Sequence, residues 1–174
     1  VYLGNHWAAR GFVAVFLQHP GSDDGVWKNQ PLLERNRSMR DAASGANFML
    51  RVKDVPVVLD QLARWQDAKG HPLAGRLDLN RVGMSGHSFG AHTTLGMAGQ
   101  AYAGHPGITE PRLAAFVAFS PSPPAVGDPV RAFARITRPT LCLTGTRDDD
   151  VVGNGSTPER RASVFDALPA GRKA

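Results

Sequence analysis

Short apolar runs alternate with longer polar or amphipathic segments along the chain, and this alternation predicts strands and helices in turn. Apolar runs without polar alternation are typical of strands that are buried on both faces of a parallel sheet. The predicted strands cover residues 12–17 (FVAVFL), 81–86 (RVGMSG), 113–121 (LAAFVAFSP) and 139–145 (PTLCLTG). The order of the elements therefore predicts an α/β fold, with a mostly parallel sheet and helices on both of its faces.

Capping residues and helical spacing predict the helices between these strands. Asp54 is expected to cap a helix that carries Pro56 in its first turn, where the missing N–H costs little. Apolar residues at helical spacing should then form one stripe against the sheet: Val55, Val58, Leu59, Leu62 and Trp65. Residues 32–47 are expected to be partly helical, and the other predicted helices end at Gly11 or cover residues 89–99, 128–136 and 157–168.

Composition narrows the class of protein. A chain of 174 residues suits a single domain, 1–174. No apolar run is long enough to span a membrane. The net charge of +5 comes from scattered arginines without interleaved aromatics, so no nucleic-acid partner is expected.

The single cysteine, Cys142, excludes an internal disulfide and should be a buried strand thiol. The chain opens on Val1, so cytoplasmic and secreted locations both stay open.

The segment GHSFG, residues 86–90, places a serine between two glycines where a predicted strand meets a predicted helix. In this context the pattern is typical of a nucleophile elbow, a turn so tight that the flanking positions must be small. Such a turn exposes the Ser88 hydroxyl at the carboxyl edge of the sheet, facing the N-terminus of the next helix. Ser88 is therefore the candidate nucleophile and the N–H of Phe89 a candidate oxyanion donor. The alternative interpretation is a glycine-rich turn with an incidental serine.

A serine nucleophile needs a base, and the base needs a carboxylate that fixes its tautomer. The sequence TRDDD follows the predicted strand 139–145, and the carboxyl ends of parallel strands share one edge. Asp148 is the candidate acid, with Asp149 and Asp150 as competitors. The alternative interpretation of the three aspartates is a solvated polar loop.

Together these features resemble the α/β-hydrolase superfamily: strand–GHSFG–helix, GTRDD after a later strand, and HWAARGFVAVFLQHPGSDD near the start. Within it, the chain resembles the esterase branch of dienelactone hydrolase-like proteins, cutinase-like polyester hydrolases, chlorophyllases and platelet-activating-factor acetylhydrolases. The resemblance covers nearly the whole chain and is strongest at the serine. It implies hydrolysis of carboxylic esters through an acyl-enzyme, without a metal or a cofactor.

The resemblance also implies parts of the fold that these 174 residues do not include. It places strands before the first helix, and it places a further strand, followed by the catalytic histidine, after the last helix. One of the early strands would lie between the predicted strands 12–17 and 81–86. Three explanations account for this absent strand. Further residues of a longer chain fill its position, a partner copy or swapped segment in a homo-oligomer fills it, or an altered core closes it.

All six histidines precede Asp148 in the chain. His87 adjoins Ser88, but adjacent side chains at a sharp turn diverge, so a packing role is expected. His92 lies one helical turn past Ser88 and is expected to be a satisfied, buried histidine. His19 follows a predicted strand and should share the sheet edge with Ser88, which makes it the best substitute base within the chain. None of the histidine spacings resembles a metal site.

The predicted function is a serine carboxylesterase with an open cleft. Residues 121–138 hold one short predicted helix, which leaves little room for a lid. An open cleft suits short esters or a polymer lying across it. Trp27 is expected either to wall the cleft or to rest on the surface. Two alternatives remain: a non-catalytic module that binds a small acyl ligand or a partner protein, and a hydrolase of peptides or thioesters.

Overall fold

The fold is seen in a computed structural model that describes residues 2–102, 104–150, 153 and 155–174. Its helices are α1 (Tyr2–Ala8), α2 (Gly25–Lys28), α3 (Leu32–Ala42), α4 (Gly45–Asp67), α5 (Phe89–Ala98), α6 (Pro129–Phe133) and α7 (Pro158–Ala167). Its strands are β1 (Val82–His87), β2 (Leu113–Phe119) and β3 (Thr140–Leu143). Three of the four predicted strands and most of the predicted helices are thereby confirmed.

The three strands form one open parallel sheet in the order β1-β2-β3. Residues 172–174 run parallel to β3 on the side away from β2. There the N–H of Thr140 donates to the carbonyl of Arg172 (2.9 Å), and the N–H of Cys142 donates to the carbonyl of Ala174 (2.8 Å). A parallel sheet with helices confirms the predicted α/β class at this level.

The core lies between the sheet and its helices. Helix α5 packs against β1 and β2, α4 packs against α5, and α7 packs against β3 and α6. Of the predicted stripe on α4, Val55, Leu59 and Leu62 are buried, Val58 is partly buried and Trp65 is exposed; the helix packs against α5 and not, as predicted, directly against the sheet. Cys142 is a partly buried thiol on β3, and burial raises its pKa to about 11 despite the nearby charge of Lys173. A thiol with that pKa is protonated and unreactive at neutral pH.

Residues 12–17 are not a strand, so the predicted first strand was wrong. Its aromatic side chains are mostly exposed, Phe12 and Phe16 at 63 % each. A strand forms only where a neighbouring chain satisfies its backbone groups. Within the described ranges no strand lies beside this segment. The ring of Phe16 lies against Gly4 of α1, and Val15 and Phe16 line a groove of about 340 Å³ together with residues of α4.

Helix α4 begins at Gly45 rather than after Asp54, so the predicted helix start was also wrong. The Ser44 hydroxyl caps it by accepting from the N–H of Asn47 at 3.2 Å. Pro56 therefore lies inside the helix, where it removes one hydrogen bond. A helix of 23 residues with a buried face can absorb that loss. In the part of the chain that the structure describes, no helix combines the length and apolar character that crossing a membrane requires.

Candidate active site

Ser88 occupies a sharp turn between β1 and α5. Its backbone angles, φ 54° and ψ −113°, lie in a region that residues other than glycine rarely adopt. Backbone hydrogen bonds hold the turn on both sides: the N–H of Ser88 donates to the carbonyl of Phe119 (3.0 Å), and its carbonyl accepts from the N–H of His92 (3.2 Å). The Ser88 hydroxyl makes no capping bond to α5. The turn thus holds a serine hydroxyl in a strained backbone at the end of a strand.

Close packing explains one of the two glycines that flank the serine. A Cβ on Gly86 would lie 2.2 Å from the carbonyl oxygen of Gly90, a distance that no side chain tolerates. A Cβ on Gly90 would meet only Nη2 of Arg51, at 3.8 Å, which is ordinary contact. The turn therefore excludes any side chain at Gly86, as expected, whereas Gly90 has room for a Cβ.

Phe89 is the first residue of α5, so its N–H belongs to the first turn, where backbone donors have no partner within the helix. The partial positive charge at that end of a helix stabilises a developing oxyanion. The ring of Phe89 lies under the guanidinium of Arg51, with Cζ 4.8 Å from the ring centroid. This contact anchors the residue whose N–H is the candidate donor.

Asp148 lies at the same edge of the sheet, in the loop after β3. It lines an open groove of about 590 Å³ together with His87, Ser120 and Thr144. Because β1, β2 and β3 are parallel, their carboxyl ends bring Ser88, Ser120 and Asp148 to one side of the sheet. Ser88 follows directly after His87 but does not itself line this groove.

The other two aspartates of the loop have different surroundings. The carboxylate of Asp150 accepts hydrogen bonds from the N–H groups of Gly153 (2.8 Å) and Gly155 (2.6 Å), so it shapes its own loop. Asp149 is exposed to solvent. Of the three candidates, Asp148 is the one whose side chain faces the groove.

Side chains from several elements surround the Asp148 carboxylate. Thr144 Oγ1 donates to its Oδ2 at 2.8 Å, and Nε of Arg161 lies 3.3 Å from its Oδ1. Burial raises the pKa of Asp148, but hydrogen bonds from Ser120 and Thr144 and the charges of Arg161 and His87 outweigh it, so the pKa lies below the ordinary value. Asp148 is therefore ionised at neutral pH, as the acid of a triad must be.

The three histidines considered from the sequence, His19, His87 and His92, have different surroundings. His19 is buried, and its Nδ1 lies 2.7 Å from Oδ2 of Asp54 on α4. His87 is exposed in the groove near Asp148. Burial, and to a lesser extent the charge of Arg161, lowers the pKa of His92, which favours its neutral form.

His19, the expected substitute base, therefore pairs with Asp54, and the segment before it is not a strand of the sheet. None of the described hydrogen bonds joins a histidine to the side chain of Asp148 or Ser88. Trp27 lies on α2, where the guanidinium carbon of Arg35 is 5.8 Å from the centroid of its ring. It does not line the groove beside Asp148.

Sequence reasoning missed two residues at this edge. Ser120 directly follows β2 with φ 52°, a second serine with positive φ, and its hydroxyl hydrogen-bonds to Asp148. Arg161 is 6 % exposed and reaches Asp148 from α7. A signal for Arg161 was present in its spacing: it shares a helical face with the apolar residues Val164 and Leu168, both of which are buried.

No protein-family model matches the chain, and a search of the curated proteins gives no match. The described residues bring together a strained serine, the N-terminus of a ten-residue helix and an ion-paired aspartate at one edge of a parallel sheet. Chemically, this arrangement places a serine hydroxyl, the backbone N–H groups of a helix N-terminus and a carboxylate at one edge of the sheet.

Proposed function

We propose that the protein is a serine hydrolase of the α/β-hydrolase type that cleaves carboxylic esters at Ser88. The observation that carries the proposal is the backbone of Ser88, φ 54° and ψ −113°, between a parallel strand and a helix. A strained conformation of this kind costs about 1–3 kcal/mol and persists where function requires it. The close approach of Gly86 to Gly90 adds support, since it leaves no room for a side chain.

The proposed reaction proceeds through an acyl-enzyme. The hydroxyl oxygen of Ser88 attacks the ester carbonyl carbon while a base removes the hydroxyl proton. The N–H of Phe89 donates to the oxyanion that forms on the carbonyl oxygen. The base then gives its proton to the departing alcohol. A water molecule, activated by the same base, attacks the acyl carbon and releases the carboxylic acid and Ser88.

Asp148 is proposed as the carboxylate that orients the base. Its low pKa and its position in the groove support that role. The base in this scheme is a histidine between Asp148 and Ser88.

The substrate class follows from the openness of the site. The groove of about 590 Å³ lies at the surface, and α6 is only five residues long. The apolar walls from Phe119 and Leu143 suit an acyl chain or an aromatic ester. Short esters and a polyester chain lying across the groove are the two proposed substrate types.

Hydrolysis of p-nitrophenyl acetate, butyrate and octanoate tests the proposal. Ser88→Ala should lower kcat/KM by about 10³-fold or more, because it removes the nucleophile. Ser85→Ala is the matched control, since Ser85 lies on the same strand and should leave the rate unchanged. Equal rates for Ser88→Ala and the unmodified protein would refute the assignment.

Imidazole added to the assay tests the source of the base. A general base contributes about 10²–10⁴-fold. If no residue of the chain fills the role, imidazole should accelerate hydrolysis by the unmodified protein and leave Ser88→Ala unchanged. A loss of activity in His87→Asn, His19→Asn or His92→Asn, with no imidazole effect in the unmodified protein, would assign the base to that residue.

One observation favours a second function, a non-catalytic module that binds a small acyl ligand. The carboxylate of Asp148 already has Arg161, Ser120 and Thr144 as partners, and none of these is a base at neutral pH. Binding of a fatty acid or ester to both the unmodified protein and Ser88→Ala, with no turnover and no imidazole effect, would support this function over hydrolysis.

A further inference from the structure

The guanidinium of Arg161 joins two strand ends at the carboxyl edge of the sheet. Its Nε donates to the backbone carbonyl of Asp148 (2.9 Å) and lies 3.3 Å from Oδ1 of the same residue. Its Nη1 donates to the carbonyl of Ser120 (2.8 Å) and to Oγ of Ser122 (3.1 Å). The hydroxyls of Ser122 and Ser156 also lie 3.0 Å apart, which brings the segment before α7 to the same cluster.

Burial of this charge needs an explanation. A charged side chain that is only 6 % exposed is strongly destabilising unless it is paired and hydrogen-bonded. Buried ion pairs add little net stability compared with apolar packing, but they can fix one arrangement of the groups around them. Here the arrangement that is fixed includes both the backbone and the carboxylate of Asp148.

We propose that Arg161 is a positioning residue that holds the Asp148 carboxylate in one orientation toward the groove. The inference rests on the hydrolysis proposed above, because it assigns Arg161 to the acid of that reaction. No described contact joins Arg161 to Ser88 or to Phe89, so its effect on the reaction passes through Asp148.

The groups facing Asp148 define how its charge should respond. Arg161 faces it from α7, His87 faces it from β1, and the hydroxyls of Ser120 and Thr144 face it from the ends of β2 and β3. His92 on α5 senses the charge of Arg161 as well. Removing Arg161 takes away the only arginine that contacts the carboxylate within the described ranges, so the pKa of Asp148 should rise.

The first experiment compares Arg161→Met, Arg161→Lys and Arg160→Met. Arg160 is exposed on the same helix, so its variant controls for the loss of one positive charge. The ¹³C signal of the Asp148 carboxyl carbon should titrate at higher pH in Arg161→Met, partly return in Arg161→Lys and stay unchanged in Arg160→Met. Titration at one pH in all proteins would overturn the proposal.

The second experiment is a double-variant cycle on ester hydrolysis. Arg161→Met should lower kcat by about tenfold to a hundredfold with little change in KM, and move the acid limb of the pH profile upward. In an Asp148→Asn background the same change should have no further effect, because the residue through which it acts is already disabled. An equal loss in both backgrounds would show a merely structural role and overturn the proposal.

Failure of the inference and failure of the proposed function give different results. If Asp148→Asn lowers kcat and Arg161→Met does not, the hydrolysis stands and the positioning role is refuted. If Ser88→Ala and Asp148→Asn both keep full activity, the proposed function itself is refuted. Should Arg161→Met not fold, Arg161→Lys decides: a shifted acid limb supports the proposal, and an unchanged limb overturns it.

Discussion

The loop after β1 and the loop after β3 reach the same edge of the sheet but are held there in different ways. The turn at Ser88 is fixed by backbone: one strained residue, a close approach at Gly86 and two main-chain hydrogen bonds. The loop at Asp148 is fixed by side chains that belong to other elements, chiefly Arg161. The turn at Ser88 is therefore fixed mainly by its own backbone and that of β2, and the loop at Asp148 by side chains that only the folded chain brings together.

The largest effect should come from Gly86→Ala, which tests the backbone-built loop. Its Cβ would lie 2.2 Å from the carbonyl oxygen of Gly90, so the turn must open. We expect a loss of about 3 kcal/mol in the free energy of unfolding, measured by urea denaturation. Gly83→Ala on the same strand is the control, because its Cβ would meet Ala115 at 3.6 Å. Equal stability of the two variants would contradict the close packing.

Asp148→Asn tests the loop that side chains hold in place, and its effect on the free energy of unfolding should depend on pH. The folded pKa of Asp148 lies below its ordinary value, so its ionisation stabilises the fold above a pH of about 4 and stops doing so as the pH falls through the folded pKa. We expect Asp148→Asn to cost about 1–2 kcal/mol at pH 7 and much less near pH 2.5. Urea denaturation at both values measures this, with the exposed Asp149→Asn as control. A gap that does not narrow at low pH would be inconsistent with an ionised, paired Asp148.

At Ser88, glycine should give a more stable protein than alanine, whereas glycine is usually the less stable of the two. Glycine adopts the backbone angles of Ser88 without strain, so this variant should be about 1 kcal/mol more stable than Ser88→Ala, which keeps the strain. Thermal denaturation of the two variants measures the difference. If alanine were as stable as glycine there, the turn would not store the strain that its angles indicate.

The smallest effect should come from Thr144→Val, which removes one donor from Asp148. The hydroxyl lies 2.8 Å from Oδ2 at an exposed position, so we expect a loss of roughly 0.5 kcal/mol at pH 7. Thr146→Val serves as its counterpart, because Thr146 lines the same groove. A larger loss for Thr146→Val would mean that the hydroxyl of Thr144 is not a significant partner.

The features that could be predicted from the sequence are those that neighbouring residues fix. The turn at Ser88 is encoded in five consecutive residues, and α7 is encoded by its cap, since Thr157 accepts from the N–H of Arg160 as the local pattern indicates. Residues 12–17 have the pattern of a strand, but that pattern cannot supply the neighbour that a strand needs. The helix start was placed at Asp54 because Pro56 favours a first turn, although Ser44 caps α4 much earlier.

Hydrogen-bond partners that lie far apart in the chain could not be predicted from the sequence. His19 was expected at the sheet edge that carries Ser88, and its hydrogen-bond partner is Asp54, 35 residues further along the chain. Arg161 binds the carbonyl of Ser120 across 41 residues. Neither pairing has a local signature, because each depends on which faces of the folded elements meet.

Covalent labelling of Ser88 tests the central claim most directly. The protein and its Ser88→Ala variant are treated with a fluorophosphonate, and the modified residue is located by peptide mass spectrometry. We expect one adduct on Ser88 in the unmodified protein, a slower adduct rate in Asp148→Asn and none in Ser88→Ala. No adduct in the unmodified protein, or one that persists in Ser88→Ala, would contradict the assignment of Ser88 as the nucleophile.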